Sequence, residues 1–309
     1  MIEILMATYN GERYLAEQLD SLFAQTETDW HLTVRDDGST DRTAEIVGEY
    51  AARFPEKITF AVNEENSGGA RYNFYRMLTE ADADYVMTCD QDDIWLPDKI
   101  GQTLRKMRLL EQVIGAGRPV LVHTDLTVVD QDGEILAQSM FFQQNLDEHR
   151  KEFSELLVQN NVTGCTVMVN RALLNELPKE APDGMIMHDW WMALVAAAFG
   201  EIGFVRASTI RYRQHADNAV GAKDARSLRY QAERLKDRAG AKQVLADTYR
   251  QAAAFAELYR GRLTPGQLET AETYGKMESY GKLRRLRVLR NYRLWKHGLT
   301  RRIGQMLFC

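Results

Sequence analysis

Cysteine is scarce: the 309 residues hold only Cys89, Cys165 and Cys309. They cannot all pair and share no metal-ligand spacing. A disulfide framework and a thiolate zinc site are therefore excluded, and a reducing compartment is implied. Long apolar runs are also missing. The longest spans residues 190–199, ten in all, against the roughly 18 that a membrane-spanning helix needs. The opening MIEILMAT is apolar but carries Glu3 and no basic lead-in, so no signal peptide is expected. A soluble, cytoplasmic chain is the resulting expectation. Two phosphate-binding signatures are absent as well. Ala7-Thr8-Tyr9-Asn10-Gly11 stands where a nicotinamide-dependent enzyme would carry GxGxxG, and no GxxxxGK[ST] loop of a P-loop phosphotransferase occurs.

Acidic residues are absent from one whole region. Residues 279–309 hold nine Lys or Arg and no Asp or Glu, so the net charge of −5 divides into a +9 tail and a −14 body. Leu283, Leu286, Leu289, Tyr292, Trp295 and Leu299 are interleaved with those cations. A basic amphipathic helix with Trp and Tyr predicts membrane-surface contact, although the same face can pack on an acidic body. No nucleic-acid-binding module accompanies the charges, so no nucleic-acid partner is expected. Apolar residues at 45% match ordinary globular usage, which excludes a disordered chain.

The first hundred residues alternate strand-like and helix-like segments. Strands are expected over 2–7, 30–34, 57–62 and 85–89, and helices over 11–24, 40–53, 70–81 and 97–113. Such alternation predicts a mostly parallel sheet with helices on both faces, which binds ligands at the carboxyl ends of its strands. Further strands are expected over 120–129, 163–169 and 202–212, and helices over 147–158 and 192–199. From residue 222 the strand signal disappears. Helical sequence runs to 262, is broken at Thr264-Pro265-Gly266, and resumes to about 295. The expected division is an α/β domain over 1–220 and a helical region over 221–309.

Chemistry concentrates at strand ends. Cys89-Asp90-Gln91-Asp92-Asp93-Ile94-Trp95 follows an apolar strand, and its three carboxylates repel one another unless a cation offsets them. A hard divalent ion holding a diphosphate suits such oxygens, while an acidic loop capping the next helix gives the same string. In Arg35-Asp36-Asp37-Gly38-Ser39, a strand-end carboxylate can accept hydrogen bonds from a base or a ribose. An Asp-Gly turn with a helix cap reads identically. Thr8 and Tyr9 end the first strand, where Tyr9 can stack on a base. Asn66-Ser67-Gly68-Gly69-Ala70-Arg71 offers a small-residue loop that can approach phosphate, with Arg71 to neutralise it.

In this order and spacing the four segments resemble the nucleotide-sugar-binding half of family 2 inverting glycosyltransferases with a GT-A fold. That fold is α/β and Rossmann-like, a mostly parallel mixed sheet flanked by helices, here with a C-terminal helical appendage. The resemblance implies that Thr8, Tyr9, Asp36, Asp37 and Arg71 hold the nucleotide, and that Asp90 and Asp92 form the Asp-x-Asp pair. Asp92 is then the preferred ligand of Mn²⁺ or Mg²⁺, and Asp93 orients the loop.

Downstream, Met187-His188-Asp189-Trp190-Trp191 opens a helix where the family places its catalytic carboxylate, which matches Asp189. A capping role for Asp189 is compatible with that one. His188 reads as a structural histidine, and Trp190 and Trp191 as either a sugar platform or core. In Arg211-Tyr212-Arg213-Gln214-His215, the resemblance implies a metal or diphosphate role for His215 and a leaving-group role for Arg211 or Arg213. Together with Val162-Thr163-Gly164-Cys165-Thr166, these strings are most similar to bacterial rhamnosyltransferases of cell-wall and O-antigen assembly. The implied donor is dTDP-L-rhamnose, the acceptor a glycan or a polyprenyl-diphosphate-linked saccharide, and the location the inner face of the cell membrane. A UDP-sugar transferase of the same family, or a non-catalytic saccharide-binding protein on this fold, are the alternatives.

Overall fold

The structure is a computed structural model that describes residues 1–215 and 237–309. By compactness the chain forms two units. The first comprises Met1–Met140, Val162–Ala181 and Gly200–Gly221; the second comprises Phe141–Asn161, Pro182–Phe199 and Ala222–Cys309. The boundary expected at 220/221 lies outside the described residues. Two segments from within 1–220 thus associate with the helical C-terminal region, because their helices bury apolar faces there.

The first unit is built on one mixed sheet. Its strands are β1 (Ile2–Thr8), β2 (Trp30–Asp36), β3 (Ile58–Val62), β4 (Tyr85–Cys89), β5 (Ile94–Trp95), β6 (Val120–Val129), β7 (Ile135–Ala137), β8 (Met168–Asn170) and β9 (Glu201–Arg213). They run in the order β3-β2-β1-β4-β8-β6-β9-β5, with β7 beside β6. The pairs β1–β2, β1–β4, β2–β3 and β6–β9 are parallel. Where β8 meets β4 and β6 the direction reverses. Connecting helices are α1 (Leu15–Phe23), α2 (Thr43–Arg53), α3 (Ala70–Glu80) and α4 (Lys99–Ile114). Every residue of β6 is buried, which fits an apolar strand covered on both faces. From β1 the chain moves outward to β2 and β3, then returns to β4 on the other side of β1. That reversal opens a crevice beyond the carboxyl ends of β1 and β4, the usual ligand position in such sheets.

Two expected elements differ. The strand over 163–169 is a 3₁₀ turn, Gly164–Thr166, before the short β8. Here the Thr166 hydroxyl donates to the Thr163 carbonyl (2.7 Å) and the Thr88 hydroxyl to the Gly164 carbonyl (2.6 Å), so local hydroxyl bonds replace a ladder. The helix over 147–158 is confined to Phe153–Leu156, capped reciprocally by Glu152 and Glu155. Before it, the Asn161 amide donates to the Asp147 and Arg150 carbonyls (3.0 and 2.9 Å) and fixes those residues as loop.

The second unit is helical. Short helices α5 (Met140–Gln143) and α6 (Phe153–Leu156) precede α8 (His188–Phe199); α7 (Arg171–Leu174) belongs to the first unit. Then come α9 (Arg238–Leu258), α10 (Pro265–Gly275), α11 (Lys282–Asn291) and α12 (Leu299–Phe308). The Thr264-Pro265-Gly266 break is the start of α10, with Thr264 and Gln267 in a capping box and Pro265 in the first turn. Rings of Trp191, Phe199, Phe255 and Tyr259 form the core. The ten-residue apolar run therefore makes a buried helix, and among the described residues no helix is long and apolar enough to cross a membrane. The helix expected to run to about 295 stops at Asn291. Arg293 (φ 55°) and Gly298 (φ 83°) adopt left-handed backbone there, and a separate helix, α12, follows.

Two histidines tie stability to pH. Burial lowers His123 in the first unit and His188 in the second, each to about 3. The unfolded chain binds these protons near the ordinary 6.5, so each histidine favours folding above that pH. The contribution is lost as pH falls from about 6.5 towards 3, with a slope of up to about 1.4 kcal/mol per pH unit for each ring. Urea unfolding measured across that window will show a lower midpoint at lower pH. His123→Leu will have a shallower slope than the parent.

Candidate active site

The carboxyl ends of β1, β2 and β4 carry the polar residues singled out in the sequence. Asp36, fully buried, accepts from the Thr8 hydroxyl (2.9 Å), the Ser39 hydroxyl (2.6 Å) and the amides of Gly38 (3.1 Å) and Ser39 (2.8 Å). Thr8 and Asp36 are register partners on neighbouring strands, so their bond closes the end of the sheet. Asp37, also buried, accepts from the Asn63 amide (2.8 Å), the Ser67 amide (2.7 Å) and the Ser67 hydroxyl (2.8 Å). It thereby holds the small-residue loop against the strand end. Gly69 (φ 115°) leads that loop into α3 in a conformation that disfavours a side chain. Arg71 lies in the first turn, with its guanidinium 4.4 Å from the Tyr72 ring centre and donating to the Tyr72 hydroxyl (2.8 Å). Tyr9 is 52% exposed at the mouth of the crevice, a position open to a stacking partner.

Gln91 was not singled out from the sequence. Its side-chain oxygen accepts from the Tyr9 amide (2.9 Å) and its side-chain nitrogen donates to the Tyr9 carbonyl (3.0 Å). The pair clips the end of β1 to the acidic loop. A β-carbon at Gly11 would fall on that Gln91 amide, so a side chain there would displace the clip.

The acidic residues separate into two groups. Asp92 Oδ2 lies 2.8 Å from His215 Nε2, and both side chains are largely buried. Ligand atoms of Asp90, Asp93 and Cys165 lie within 4.8 Å of one another. Burial, then the Asp92 and Asp90 charges, push the Asp93 carboxyl well above the usual range. Its Oδ1 accepts the Arg213 amide (3.2 Å), which ties the loop to β9. Burial raises the Cys165 thiol as well, so it stays protonated and is a poor partner for a hard cation. Carboxylate oxygens and imidazole nitrogens of this kind suit a hard divalent ion better than the thiol does, and the ion's charge would offset the crowded carboxylates. Lys99 was also missed by sequence reasoning. It is fully buried with its ammonium 4.4 Å from the Trp95 ring centre, and burial lowers it to about 8.

Arg213, one of the two arginines expected near a leaving group, is held inside the first unit. Its guanidinium is buried and engaged within the protein, donating to Glu17 (2.5 Å) and to the carbonyls of Asp92 (3.1 Å) and Gln131 (2.9 Å), with the Tyr14 ring 4.6 Å away. Arg211 is exposed.

In the second unit, Asp189 sits buried in the first turn of α8. It accepts from the Trp190 amide (2.7 Å) and the Asn160 side chain (3.3 Å). Trp191 is core and does not offer a sugar platform: its ring is wholly buried, 5.2 Å from that of Phe255. Trp190 is half-buried and donates its indole N–H to the Leu156 carbonyl (2.6 Å). His188 is buried, as a structural histidine would be.

Carboxylates and a loop entering a helix stand together at the strand ends, where open α/β sheets take their ligands. The chain belongs to glycosyl transferase family 2, whose model matches residues 3–177, more than half its length. It is 29% identical over 237 residues to the dTDP-rhamnosyl transferase RfbG of Shigella flexneri, covering 73% of this chain and 76% of that one. The fold is similar to that of S. aureus TarS 1-349 in complex with UDP-GlcNAc, with a TM-score of 0.55 and 17% identity over 93% of this chain and 82% of that one. It is also similar to the mannosyltransferase PcManGT from Pyrobaculum calidifontis in complex with GDP-Man and Mn2+, with a TM-score of 0.54 and 18% identity over 99% and 86%.

A structural Arg213 makes a measurable difference. Arg213→Gln leaves two carbonyls without their donor and is expected to cost about 3 kcal/mol of unfolding free energy. Glu17→Gln, which keeps an acceptor for the guanidinium at a half-exposed position, will cost less. Urea unfolding of the two variants side by side checks this. Equally small losses would show that the guanidinium does not hold the acidic loop.

Proposed function

We propose that the chain is an inverting glycosyltransferase that moves L-rhamnose from dTDP-L-rhamnose to a hydroxyl of a saccharide or polyprenyl-diphosphate-linked saccharide. The observation that carries the reaction class is the Asp90–Asp92 pair at the β1/β4 crevice with His215 on Asp92, in a chain of glycosyl transferase family 2. The 29% identity to RfbG supports the rhamnosyl donor.

In this reading residues 1–220 are the catalytic domain and 221–309 a helical appendage that contacts the membrane surface bearing the acceptor. Tyr9 stacks on the base, and the Asp36 and Asp37 turns shape the nucleoside pocket. Arg71 lies near the phosphates. Asp90, Asp92 and His215 would hold Mn²⁺ or Mg²⁺, which supplies positive charge against the departing diphosphate. Exposed Arg211 adds to that charge, while Arg213 keeps the acidic loop in place. Asp189 takes the proton of the acceptor hydroxyl, whose oxygen attacks the anomeric carbon as the diphosphate leaves, inverting the configuration. The hydrogen bonds from Trp190 and Asn160 orient that carboxylate. Positioning and charge stabilisation supply most of the rate.

Three measurements test the reading. Calorimetric titration with dTDP, UDP and GDP, with and without Mn²⁺, will show metal-dependent binding that favours dTDP. A preference for UDP would point to a UDP-sugar transferase instead. Asp92→Asn will lose the metal dependence. Asp189→Asn will keep dTDP binding and lose transfer by about 10²- to 10⁴-fold; near-parental transfer by that variant removes Asp189 as the base.

A further inference from the structure

Outside the crevice, the second unit carries a groove of about 610 Å³ between α10 and α11, with Tyr280, Leu283, Arg284, Arg287, Val288 and Tyr292 among its lining residues. On α11, Leu283, Arg284 and Arg287 share one face by helical spacing. The Arg284 guanidinium stacks 3.9 Å from the Tyr280 ring centre. Among the described residues no carboxylate pairs with Arg284 or Arg287. The nearby Glu269 accepts a hydrogen bond from Tyr292 (2.5 Å). Leu283 is 81% exposed at the groove.

The following helix continues the surface. Leu299, Ile303, Met306 and Leu307 recur at i, i+4, i+7 and i+8, so they form one stripe of α12, and all four are exposed, Leu299 at 75% and Leu307 at 61%. Lys282, at the start of α11, donates to the carbonyls of Met306 (2.5 Å), Leu307 (2.9 Å) and Cys309 (3.0 Å). This bond fixes the last turn of α12 beside the first turn of α11, so the cationic groove and the apolar stripe adjoin.

We infer that the α11–α12 face docks on an anionic phospholipid surface, with Arg284 and Arg287 receiving headgroup phosphate and the α12 stripe entering the acyl boundary. Charge complementarity selects this occupant: residues 279–309 hold nine cations and no acid. An apolar stripe beside those cations is the pattern of helices that lie in a bilayer interface, and a free phosphate ion gives the stripe nothing to bury against. The inference assigns residues to the membrane contact proposed above and rests on that reading. Hydrolysis of the nucleotide sugar needs no membrane and reports separately on the transferase.

The test is sedimentation of the full chain with vesicles of phosphatidylglycerol and phosphatidylcholine in equal parts, against vesicles of phosphatidylcholine alone. The parent is expected to bind the anionic vesicles, with release at high salt. Arg284→Gln and Arg287→Gln will each weaken partitioning by about fivefold. Ile303→Asp with Leu307→Asp will weaken it further, with far-ultraviolet circular dichroism and donor hydrolysis unchanged. Equal binding to both vesicles, or no change in the arginine variants, overturns the inference. Inorganic diphosphate that displaces the vesicles, together with unchanged vesicle binding by the Asp double variant, identifies a free-anion site and also overturns it. Vesicle binding without hydrolysis of any nucleotide sugar upholds the docking face and rejects the transferase reading.

Discussion

Three carboxylates within four residues at the end of β4 repel one another, and the first unit is arranged to hold them there. The loop is held from the side by backbone contacts. Arg213, at the end of β9, reaches the backbone of Asp92 while pairing with Glu17 of α1. Its own amide binds Asp93. On the other side Gln91 clips the loop to Tyr9. A loop anchored to β1 and to β9 costs little to keep in one conformation. The reversal of strand order between β1 and β4 lies beside this loop, where such sheets take ligands.

The end of the crevice at β2 uses the same economy of parts. Asp36 and Asp37 direct their oxygens largely to the protein itself, closing the turn after β2 and securing the Asn66-Ser67 loop. Both residues are buried there, and Tyr9 is left as an exposed ring beside them. In the second unit Asp189 is treated differently. It is buried at a helix start, where it accepts from the amide of Trp190 and the side chain of Asn160. Trp191 on the same helix turns into the aromatic core and anchors that start.

Much of this was legible in the residues. The alternation over the first hundred residues placed β1 to β4 and α1 to α4 to within a few positions, because apolar periodicity reports directly which face is buried. The acidic string, the Asp-Asp-Gly turn and the small-residue loop were all recognisable at strand ends. Where hydroxyls and amides bind backbone locally, at 163–166 and 147–151, periodicity misled. Apolar spacing says nothing about a Thr hydroxyl that captures a carbonyl. Gln91 and Lys99 escaped notice for a related reason. A glutamine between aspartates looks like surface, and a lysine in a first turn looks solvated, until the fold brings Tyr9 to one and Trp95 beneath the other.

The sequence alone determined the family, the strand-end chemistry and the uneven charge, since these depend on residue types at fixed short spacings. Tertiary structure decided what each cation and ring does with its neighbours. Arg211 and Arg213 are two positions apart on one strand, yet one is exposed and the other is buried against Glu17 and two carbonyls. Trp190 and Trp191 divide likewise between a half-buried hydrogen bond and the core. The tail that reads as one basic helix is two, tied together by Lys282. Such outcomes rest on contacts between residues tens to nearly two hundred positions apart, which local sequence does not encode.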